Sequence, residues 1–185
     1  MLTQSQVRQM QERATGMLVR AAIVLTAQEQ EQIEVVDFGL SELERTGLEL
    51  VVYINNERYC AKELVMTPRQ TCAQHRHPPL NETNPGKQET FRCRWGKVWL
   101  YVEGEPSQAI QAIQAHVPEG SEPYYTVFHE IELRPGDQYT LPPNTWHWFQ
   151  SGDEGAIVSE FSSPSYDEFD QFVDPRIYRF TKVAD

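Results

Sequence analysis

Four side chains in this sequence are of the types that bind a divalent transition metal. They are His75, His77, Glu89 and His147. Three imidazoles and one carboxylate, without a thiolate, suit manganese, iron, cobalt, nickel or zinc. Such a ligand set can leave coordination positions open for solvent or substrate, which is typical of catalytic rather than closed structural sites. The residue types therefore predict a catalytic metal centre.

The spacing of the first two histidines supports this prediction. His75 and His77 are separated by one residue, within residues 71–79. On an extended strand, side chains two residues apart point to the same face. A strand at this position would therefore offer both imidazoles to one metal ion.

Strand alternation predicts the direction of the other two ligands. If residues 88–95 form a strand, Glu89 lies on the face that also carries Phe91. A carboxylate that points into a small barrel is costly to bury unless a metal or another cation compensates its charge. The same alternation over residues 145–150 turns His147 toward the interior.

Each of these ligands also has an ordinary alternative. His75 and His77 could be two surface histidines, and Glu89 could pair with Arg92 or Arg94 instead of a metal. Any one of the residues would be weak evidence by itself. The four together, at these spacings, favour the metal centre.

Other candidate ligands receive different predictions. Glu82 competes with Glu89 for the carboxylate position, but its proline- and asparagine-rich surroundings indicate a surface loop. We expect His129 to be a hydrogen-bonded core or pocket histidine and His116 to be solvated. Cys72 is predicted to be a small buried thiol, because no second Cys-x-x-Cys or Cys-x-x-His motif supports a zinc site.

Composition and charge limit the possible partners. The 185 residues are enough for one domain with a sizeable core. The formal net charge of −11, from 16 basic and 27 acidic residues, repels nucleic acid and anionic membranes, so neither is an expected partner. The odd set Cys60, Cys72 and Cys93 favours a reducing compartment. Residues 17–25 are apolar but are interrupted by Arg20 and are too short to span a membrane, so we expect a cytoplasmic protein.

The pattern of the chain predicts one mainly β domain, residues 1–185, with three regions. Residues 1–47 have apolar side chains at three- and four-residue intervals, which indicates an N-terminal helical cover. Residues 48–163 contain short aliphatic and aromatic runs between turn residues, which is typical of an antiparallel β-barrel. Residues 164–185 are too aromatic to be disordered and are expected to brace the sheet. The glutamine-rich residues 104–123 are expected to be a long connection between strands, to which no chemistry is assigned.

The segments that carry the ligands resemble the two motifs of the cupin superfamily. The resemblance lies in His75-Arg76-His77 with a glutamate on the next strand, Gly96, Pro135-Gly136-Asp137, and Pro142-Pro143-Asn144-Thr145-Trp146-His147. These motifs imply a small, jelly-roll-like cupin barrel and little about the reaction. The longer segments 86–94, 102–105 and 139–145 are more similar to the bacterial D-lyxose ketol-isomerases. This resemblance runs from about residue 48 to residue 163 and extends through the helical N-terminus.

The resemblance implies a manganese-dependent aldose–ketose isomerase, although other divalent transition metals could serve. It implies that D-lyxose is converted to D-xylulose and, often in that family, D-mannose to D-fructose, and that the protein is a homodimer acting on a free sugar. A metal bound to the sugar oxygens would polarise the carbonyl and stabilise enediolate charge while hydrogen moves between C1 and C2.

Two further residues are candidates for proton transfer in such a reaction. Glu160 shares a strand face with Ala156 and Val158, which favours burial and a role as general base. Lys87 lies two residues from Glu89 and could donate to the developing oxyanion or orient a substrate hydroxyl. The alternative is that Glu160 and Lys87 only form an internal ion pair or face solvent. A carboxylate beside a single metal favours an enediol path, but the sequence does not separate it from a metal-assisted hydride shift.

Three other functions are compatible with the same ligands. A phosphosugar isomerase is one, because Arg76, Arg92 and Arg94 could bind a phosphate. An iron-dependent dioxygenase is another, because three histidines and one glutamate can bind ferrous iron. The third is a non-catalytic sugar-binding cupin, in which the metal is structural or absent. The pair formed by Lys87 and Glu160 favours proton transfer, and therefore the isomerase.

Overall fold

Strands dominate the computed structural model, which describes residues 1–184. The strands are β1 (Leu2–Thr3), β2 (Glu34–Val36), β3 (Leu48–Asn55), β4 (Cys60–Met66), β5 (Thr71–Arg76), β6 (Glu89–Val102), β7 (His129–Leu133), β8 (Gln138–Leu141), β9 (His147–Ser162), β10 (Gln171–Phe172) and β11 (Val183–Ala184). The α-helices of this range are α1 (Gln4–Arg20) and α2 (Ala27–Glu31). The predicted mainly β fold class is confirmed.

Both helices begin at capping boxes, which satisfy backbone N–H groups that lack a helical partner. In each, the threonine side chain accepts a hydrogen bond from the backbone N–H of the third helical residue. The side chain of that residue accepts in turn from the backbone N–H of the threonine. The pairs are Thr3 with Gln6, and Thr26 with Glu29. Leu18 of α1 packs with Val65 on the outer face of the sheet. The predicted helical cover, residues 1–47, thus contains helices as far as Glu31, after which β2 joins the sheet beside β3. Neither α-helix in residues 1–184 is both long and apolar enough to cross a bilayer.

Two long strands, β6 and β9, organise the sheet. β6 pairs with β7, β8 and β9, while β9 also pairs with β4 and β5. From β4 the sheet continues through β3 to β2, and β10 lies beside β5. All of these pairings are antiparallel. Together they join nine strands of residues 1–184 in one sheet.

β6 and β9 bend together where two glycines meet. Gly96 has a φ of +69°, and a Cβ at this position would lie 2.1 Å from the carbonyl oxygen of Gly155. His147 pairs with Val102 at one end of β6, whereas Glu89 begins the other end, roughly 40 Å away along a straight strand. The side chains of Glu89 and His147 nevertheless approach to 3.0 Å. The two halves of β6 therefore form opposite walls of one interior.

An apolar core fills most of this interior. It draws side chains from every strand between β2 and β9, among them Val36, Leu50, Leu64, Phe91, Leu133, Leu141 and Phe149. A second apolar cluster lies under the connection between β6 and β7, where the rings of Tyr101 and Trp148 stack 4.1 Å apart. The Tyr101 hydroxyl accepts the N–H of Ala115, so the predicted long connection at residues 104–123 packs on the outside of the sheet.

The C-terminal segment packs back on the sheet, as its aromatic content predicts. β10 pairs with β5, and β11 lies parallel to β1. Between them, the N–H of Tyr178 donates to the carbonyl of Phe38 at 2.9 Å, and Thr181 exchanges hydrogen bonds with Asp37. The predicted brace, residues 164–185, is described as far as residue 184, and its last residue lies outside the described range.

Candidate metal centre and active site

The four predicted metal ligands lie together in the interior of the sheet. His75 lies on β5 and His77 directly follows that strand, while Glu89 begins β6 and His147 begins β9. All four are buried, with at most 9 % of any residue exposed. His75 and His147 are direct partners on neighbouring strands. Strand alternation and the bend in β6 thus bring four distant sequence positions to one point.

The Nδ1 atom of each histidine is held by an oxygen. His75 Nδ1 donates to the carbonyl of Ala73 at 2.8 Å, and His147 Nδ1 donates to the carbonyl of Thr145 at 2.9 Å. His77 Nδ1 lies 2.5 Å from the carboxylate of Asp170. Because these oxygens only accept, each Nδ1 carries a proton, so that the neutral form of each ring has its lone pair on Nε2.

The opposite edges of these rings face one another across a small space. The three histidines can offer ligand atoms that lie within 4.8 Å of one another. Glu89 Oε1 lies 3.0 Å from Nε2 of His147 and 3.4 Å from Nε2 of His77. These three atoms are buried and have no hydrogen-bond partner among the described residues. Unpartnered buried donors and acceptors are costly, and a divalent cation among them would satisfy all three. The residues present therefore fit a metal ion.

Lys87 connects the predicted metal ligand to the predicted base. Its Nζ lies 2.8 Å from Glu89 Oε2 and 2.5 Å from Glu160 Oε1, and all three side chains are at least 95 % buried. Burial alone would lower the pKa of Lys87, but the charges of Glu160 and Glu89 raise it. Burial alone would raise the pKa of Glu89, but the positive charges of Lys87 and His77 hold it well below its usual range. The fold therefore keeps an ammonium and a carboxylate ionised in the interior.

Comparison with known sequences connects this arrangement to one family. A sequence model described as D-lyxose isomerase matches residues 24–185. The chain belongs to the D-lyxose isomerase family. It is 60 % identical over 185 residues to the D-lyxose/D-mannose isomerase of Thermosediminibacter oceani, with 100 % of both chains covered. It is 62 % identical over 176 residues to the D-lyxose ketol-isomerase of Cohnella laeviribosi, with 95 % of this chain and 94 % of the relative covered. The protein is therefore an aldose–ketose isomerase, which confirms the reaction class predicted from the resemblance.

Solved structures agree with this membership at the level of the fold. The L-ribose isomerase of Cellulomonas parahominis without ligand superposes with a TM-score of 0.78 at 15 % identity, covering 99 % of this chain and 98 % of that chain. The L-ribose isomerase of Geodermatophilus obscurus gives a TM-score of 0.77 at 14 % identity, with the same coverage. These similarities support the cupin-type barrel predicted for this member of the D-lyxose isomerase family.

Four ionisable residues beside the candidate site were missed from the sequence, namely Lys62, Asp167, Asp170 and Arg179. Lys62 lies on β4 beside Glu160, with its Nζ 3.9 Å from Glu160 Oε1 and 4.0 Å from Asp167 Oδ1. Arg179 forms an ion pair with Asp167. Burial alone would raise the pKa of Asp167, but the charges of Lys62 and Arg179 lower it. Lys62 shares a face with Leu64, so an inward lysine on an apolar strand face was the available signal. The other three lie in the irregular C-terminal segment.

The C-terminal segment also contacts the histidines of the isomerase directly. Asp170 holds His77, and the ring of Phe172 stacks on that of His75 at 5.6 Å between centroids. Burial alone would lower the pKa of His77, but the charge of Glu89 and the bond to Asp170 raise it to about 9. A metal ion at this site would therefore compete with a proton for the Nε2 atom of His77.

The other residues considered as ligands in the sequence do not join the four-residue cluster. Glu82 and His116 are exposed, as expected. His129 is half-buried, with its Nδ1 3.0 Å from the carbonyl of Glu105. Cys72 is buried, and burial raises the pKa of its thiol.

The three arginines considered as a phosphate site do not converge on the interior. Arg92 and Arg94 are exposed on the outer face of β6, where they donate to Gln138 and Ser159. The guanidinium of Arg76 lies over the Trp146 ring, 4.6 Å from its centroid. This separation argues against a single phosphate site built from all three.

Proposed function

We propose that this protein interconverts D-lyxose and D-xylulose, and also D-mannose and D-fructose, as a Mn²⁺-dependent isomerase. The names of its relatives support both sugar pairs. One observation supports the metal and the reaction together. The buried, unpartnered Nε2 atoms of His77 and His147 and Oε1 of Glu89 lie beside the ion pair of Lys87 and Glu160. An iron-dependent dioxygenase or a non-catalytic cupin would leave the buried Lys87–Glu160 pair without a role.

The proposed metal ligands are His75, His77, Glu89 and His147. A divalent ion held by them would supply a Lewis acid that polarises the sugar carbonyl and favours negative charge on its oxygen. Mn²⁺ is suited to imidazole and carboxylate ligands, and other divalent transition metals could replace it.

Glu160 is proposed to move the proton between C2 and C1 of the sugar. Lys87 is the other candidate, but two neighbouring carboxylates raise its pKa, so it stays an ammonium and cannot accept a proton at neutral pH. Glu160 is buried, lies within reach of the cavity that contains the histidines, and can accept. Lys87 then donates a hydrogen bond to the substrate oxygen on which charge develops.

A groove beside the interior offers the sugar a route to these groups. It shares His77, Lys87 and Asp170 with the interior cavity and is completed by residues that include Leu80, Tyr166 and Phe169. Tyr166 and Phe169 are exposed, so aromatic faces border an entrance lined by charged groups. Polar groups that orient a ligand between aromatic surfaces are typical of small-molecule sites.

The first experiment measures ketose formed from D-lyxose and D-mannose by chelator-stripped protein, with and without Mn²⁺. We expect activity to appear only with the metal. His147→Ala should lose metal binding, whereas Glu160→Gln should keep it and lower kcat by about 10²–10⁴-fold, because it removes only the base. Running the reaction in D₂O adds a test of the path, since proton transfer through an enediolate allows deuterium to enter the product carbon and a hydride shift does not.

Several outcomes would contradict the proposal. Full activity after chelation would contradict the proposed metal dependence. An unchanged kcat in Glu160→Gln would contradict the proposed role of Glu160 as the base. A protein that converts neither sugar under any metal would require phosphorylated sugars to be tested next, with Arg76→Ala as the variant.

We further propose a cytoplasmic homodimer of one-domain subunits. Exposed apolar side chains on β3, β9 and the turn before β4, among them Val52, Phe161 and Tyr59, support a surface that a second copy covers. The three free, buried cysteines support a reducing compartment. Light scattering should give twice the chain mass, calorimetry a single unfolding transition, and cell fractionation a cytoplasmic pool; a monomer would overturn the first of these.

A further inference from the structure

One of the four proposed metal ligands depends on a carboxylate from the far end of the chain. Asp170 lies 93 residues after His77, yet its Oδ1 accepts from His77 Nδ1 at 2.5 Å. Both side chains are buried, at 10 % exposed for His77 and 7 % for Asp170. Hydrogen bonds between a carboxylate and a ligating histidine fix the ring orientation and the position of its proton.

The other two histidines are held differently. His75 and His147 each donate to the carbonyl of the residue two positions earlier, Ala73 and Thr145. These bonds are local, because donor and acceptor are two residues apart. His77 lies beyond the end of β5, and its partner is supplied by the C-terminal segment, residues 164–184. The orientation of this one ring therefore depends on how that segment docks.

The C-terminal segment is fixed on both sides of Asp170. Immediately after it, β10 pairs with β5, where Gln171 faces Arg76 and Phe172 faces His75. Further along, Arg179 donates to Glu34 at 2.7 Å and also pairs with Asp167. These contacts leave Asp170 little freedom relative to the histidines.

We propose that Asp170 is a positioning residue for the metal centre and that docking of residues 164–184 is coupled to metal occupancy. Asp170 orients His77 Nε2 toward the other ligands, so loss of its hydrogen bond weakens metal binding. Linkage is reciprocal, so a bound metal in turn stabilises the docked segment. The inference rests on the proposed metal centre and extends it to a residue outside the barrel.

The test titrates Mn²⁺ into chelator-stripped protein by calorimetry. Asp170→Ala should weaken Mn²⁺ binding by about 10–100-fold. Asp170→Asn should lose less, because its amide oxygen still accepts from His77. Asp174→Asn is the matched control: it makes the same change in the same segment, but Asp174 bonds to Arg176 and not to a ligand. It should bind Mn²⁺ like the parent protein.

A second measurement tests the coupling without using activity. Amide hydrogen exchange in residues 164–184 should slow on addition of Mn²⁺ to the parent protein, and this slowing should be lost in Asp170→Ala. If the alanine variant does not fold, the asparagine variant provides the comparison, and a smaller loss of this slowing is then expected.

The outcomes separate the two proposals. If the parent protein binds Mn²⁺ and both Asp170 variants bind it equally well, Asp170 has no positioning role and the metal centre stands. If the parent protein binds no divalent metal, the metal centre and this inference both fail.

Discussion

The inner and outer faces of the same sheet bury acidic side chains in opposite ways. On the inner face, Glu89 and Glu160 share the ammonium of Lys87, and the pKa of Glu89 lies well below its usual range despite complete burial. On the outer face, the hydrogen-bond donors to Glu49 and Glu63 in the described residues are neutral, and burial raises the pKa of both carboxyls.

This difference shows that burial alone does not decide whether a carboxyl is ionised. The deciding factor is whether the fold also buries a cation within reach. Lys62 and Glu63 are consecutive in β4 and point to opposite sides of the sheet. Neighbouring residues of one strand therefore lie in the two different environments. The face with a buried cation is the one on which a reaction is proposed.

Removing the shared cation should have the largest effect. Lys87→Met keeps a similar volume but leaves Glu89 and Glu160 without their ammonium. Breaking a buried ion pair on one side should lower the free energy of unfolding by about 3–5 kcal/mol. We also expect kcat to fall by about 10²–10⁴-fold, because a positioned donor is lost. Urea denaturation and steady-state kinetics with D-lyxose measure the two effects.

Lys97 provides the control for this change. Its side chain is 33 % exposed and lies 3.8 Å from Glu132, so Lys97→Met should cost less than about 1 kcal/mol. Equal stability losses in the two variants would show that the inner carboxylates do not depend on their cation, and the contrast between the faces would fail.

The contrast between the two faces can also be tested by displacing the backbone of Lys87. Gly86 precedes it with a φ of +100°, and a Cβ there would lie 2.3 Å from the carbonyl oxygen of His77. Gly86→Ala must therefore push Lys87 and His77 apart. We expect a loss of about 2–3 kcal/mol in stability and weaker Mn²⁺ binding.

A second glycine separates the clash from the conformational strain. Gly136 has a nearly equal φ of +98°, but nothing lies within 4 Å of a Cβ at that position. Gly136→Ala should cost about 1 kcal/mol and leave Mn²⁺ binding unchanged. Weakened binding in both variants would mean that general destabilisation, rather than the contact with His77, is responsible.

Strand alternation is the reason that much of this site could be predicted from the sequence. It placed Lys87 and Glu89 on one face and His147 toward the interior, where the structure also has them. Such predictions need only the local period of two residues. The strand predicted to end at residue 95 instead continues through Gly96 to Val102, because Gly96 bends β6 against Gly155 rather than ending it.

The parts of the site that were missed depend on contacts between distant segments. Asp167, Asp170 and Arg179 lie in a region without helical or strand periodicity, so their direction is set by docking on the sheet. The sequence indicated that this region packs, because it is rich in aromatic side chains, but not which polar atoms meet the histidines. Lys62 was different: it lies on a regular strand, and the rule applied to Lys87 would have found it.

The outer face provides a predicted effect of the opposite sign, a gain in stability. Glu49 is fully buried, accepts one hydrogen bond from Gln70 at 3.1 Å, and has one oxygen without a partner among the described residues. Burial raises its pKa to about 8, although the hydrogen bond from Gln70 acts in the opposite direction. Glu49→Gln has the same shape and never ionises. We expect it to raise the free energy of unfolding at pH 8 by about 4 kcal/mol, which a slope of about 1.4 kcal/mol per pH unit accumulates between the unfolded pKa near 4.5 and the folded pKa of about 8.

The pH dependence gives this prediction its sign. The folded protein binds the Glu49 proton more tightly than the unfolded chain, whose carboxyl has a pKa near 4.5. The stability that Glu49 contributes is therefore fully present below about pH 4.5, falls as the pH rises, and is lost above about pH 8, with a slope of at most about 1.4 kcal/mol per pH unit. Urea denaturation of the parent and the variant from pH 5 to pH 9 should give curves that meet at the acidic end and separate toward the basic end. Parallel curves would mean that Glu49 is ionised in the folded protein, and that the outer face, like the inner one, supplies a counter-charge to its buried acid.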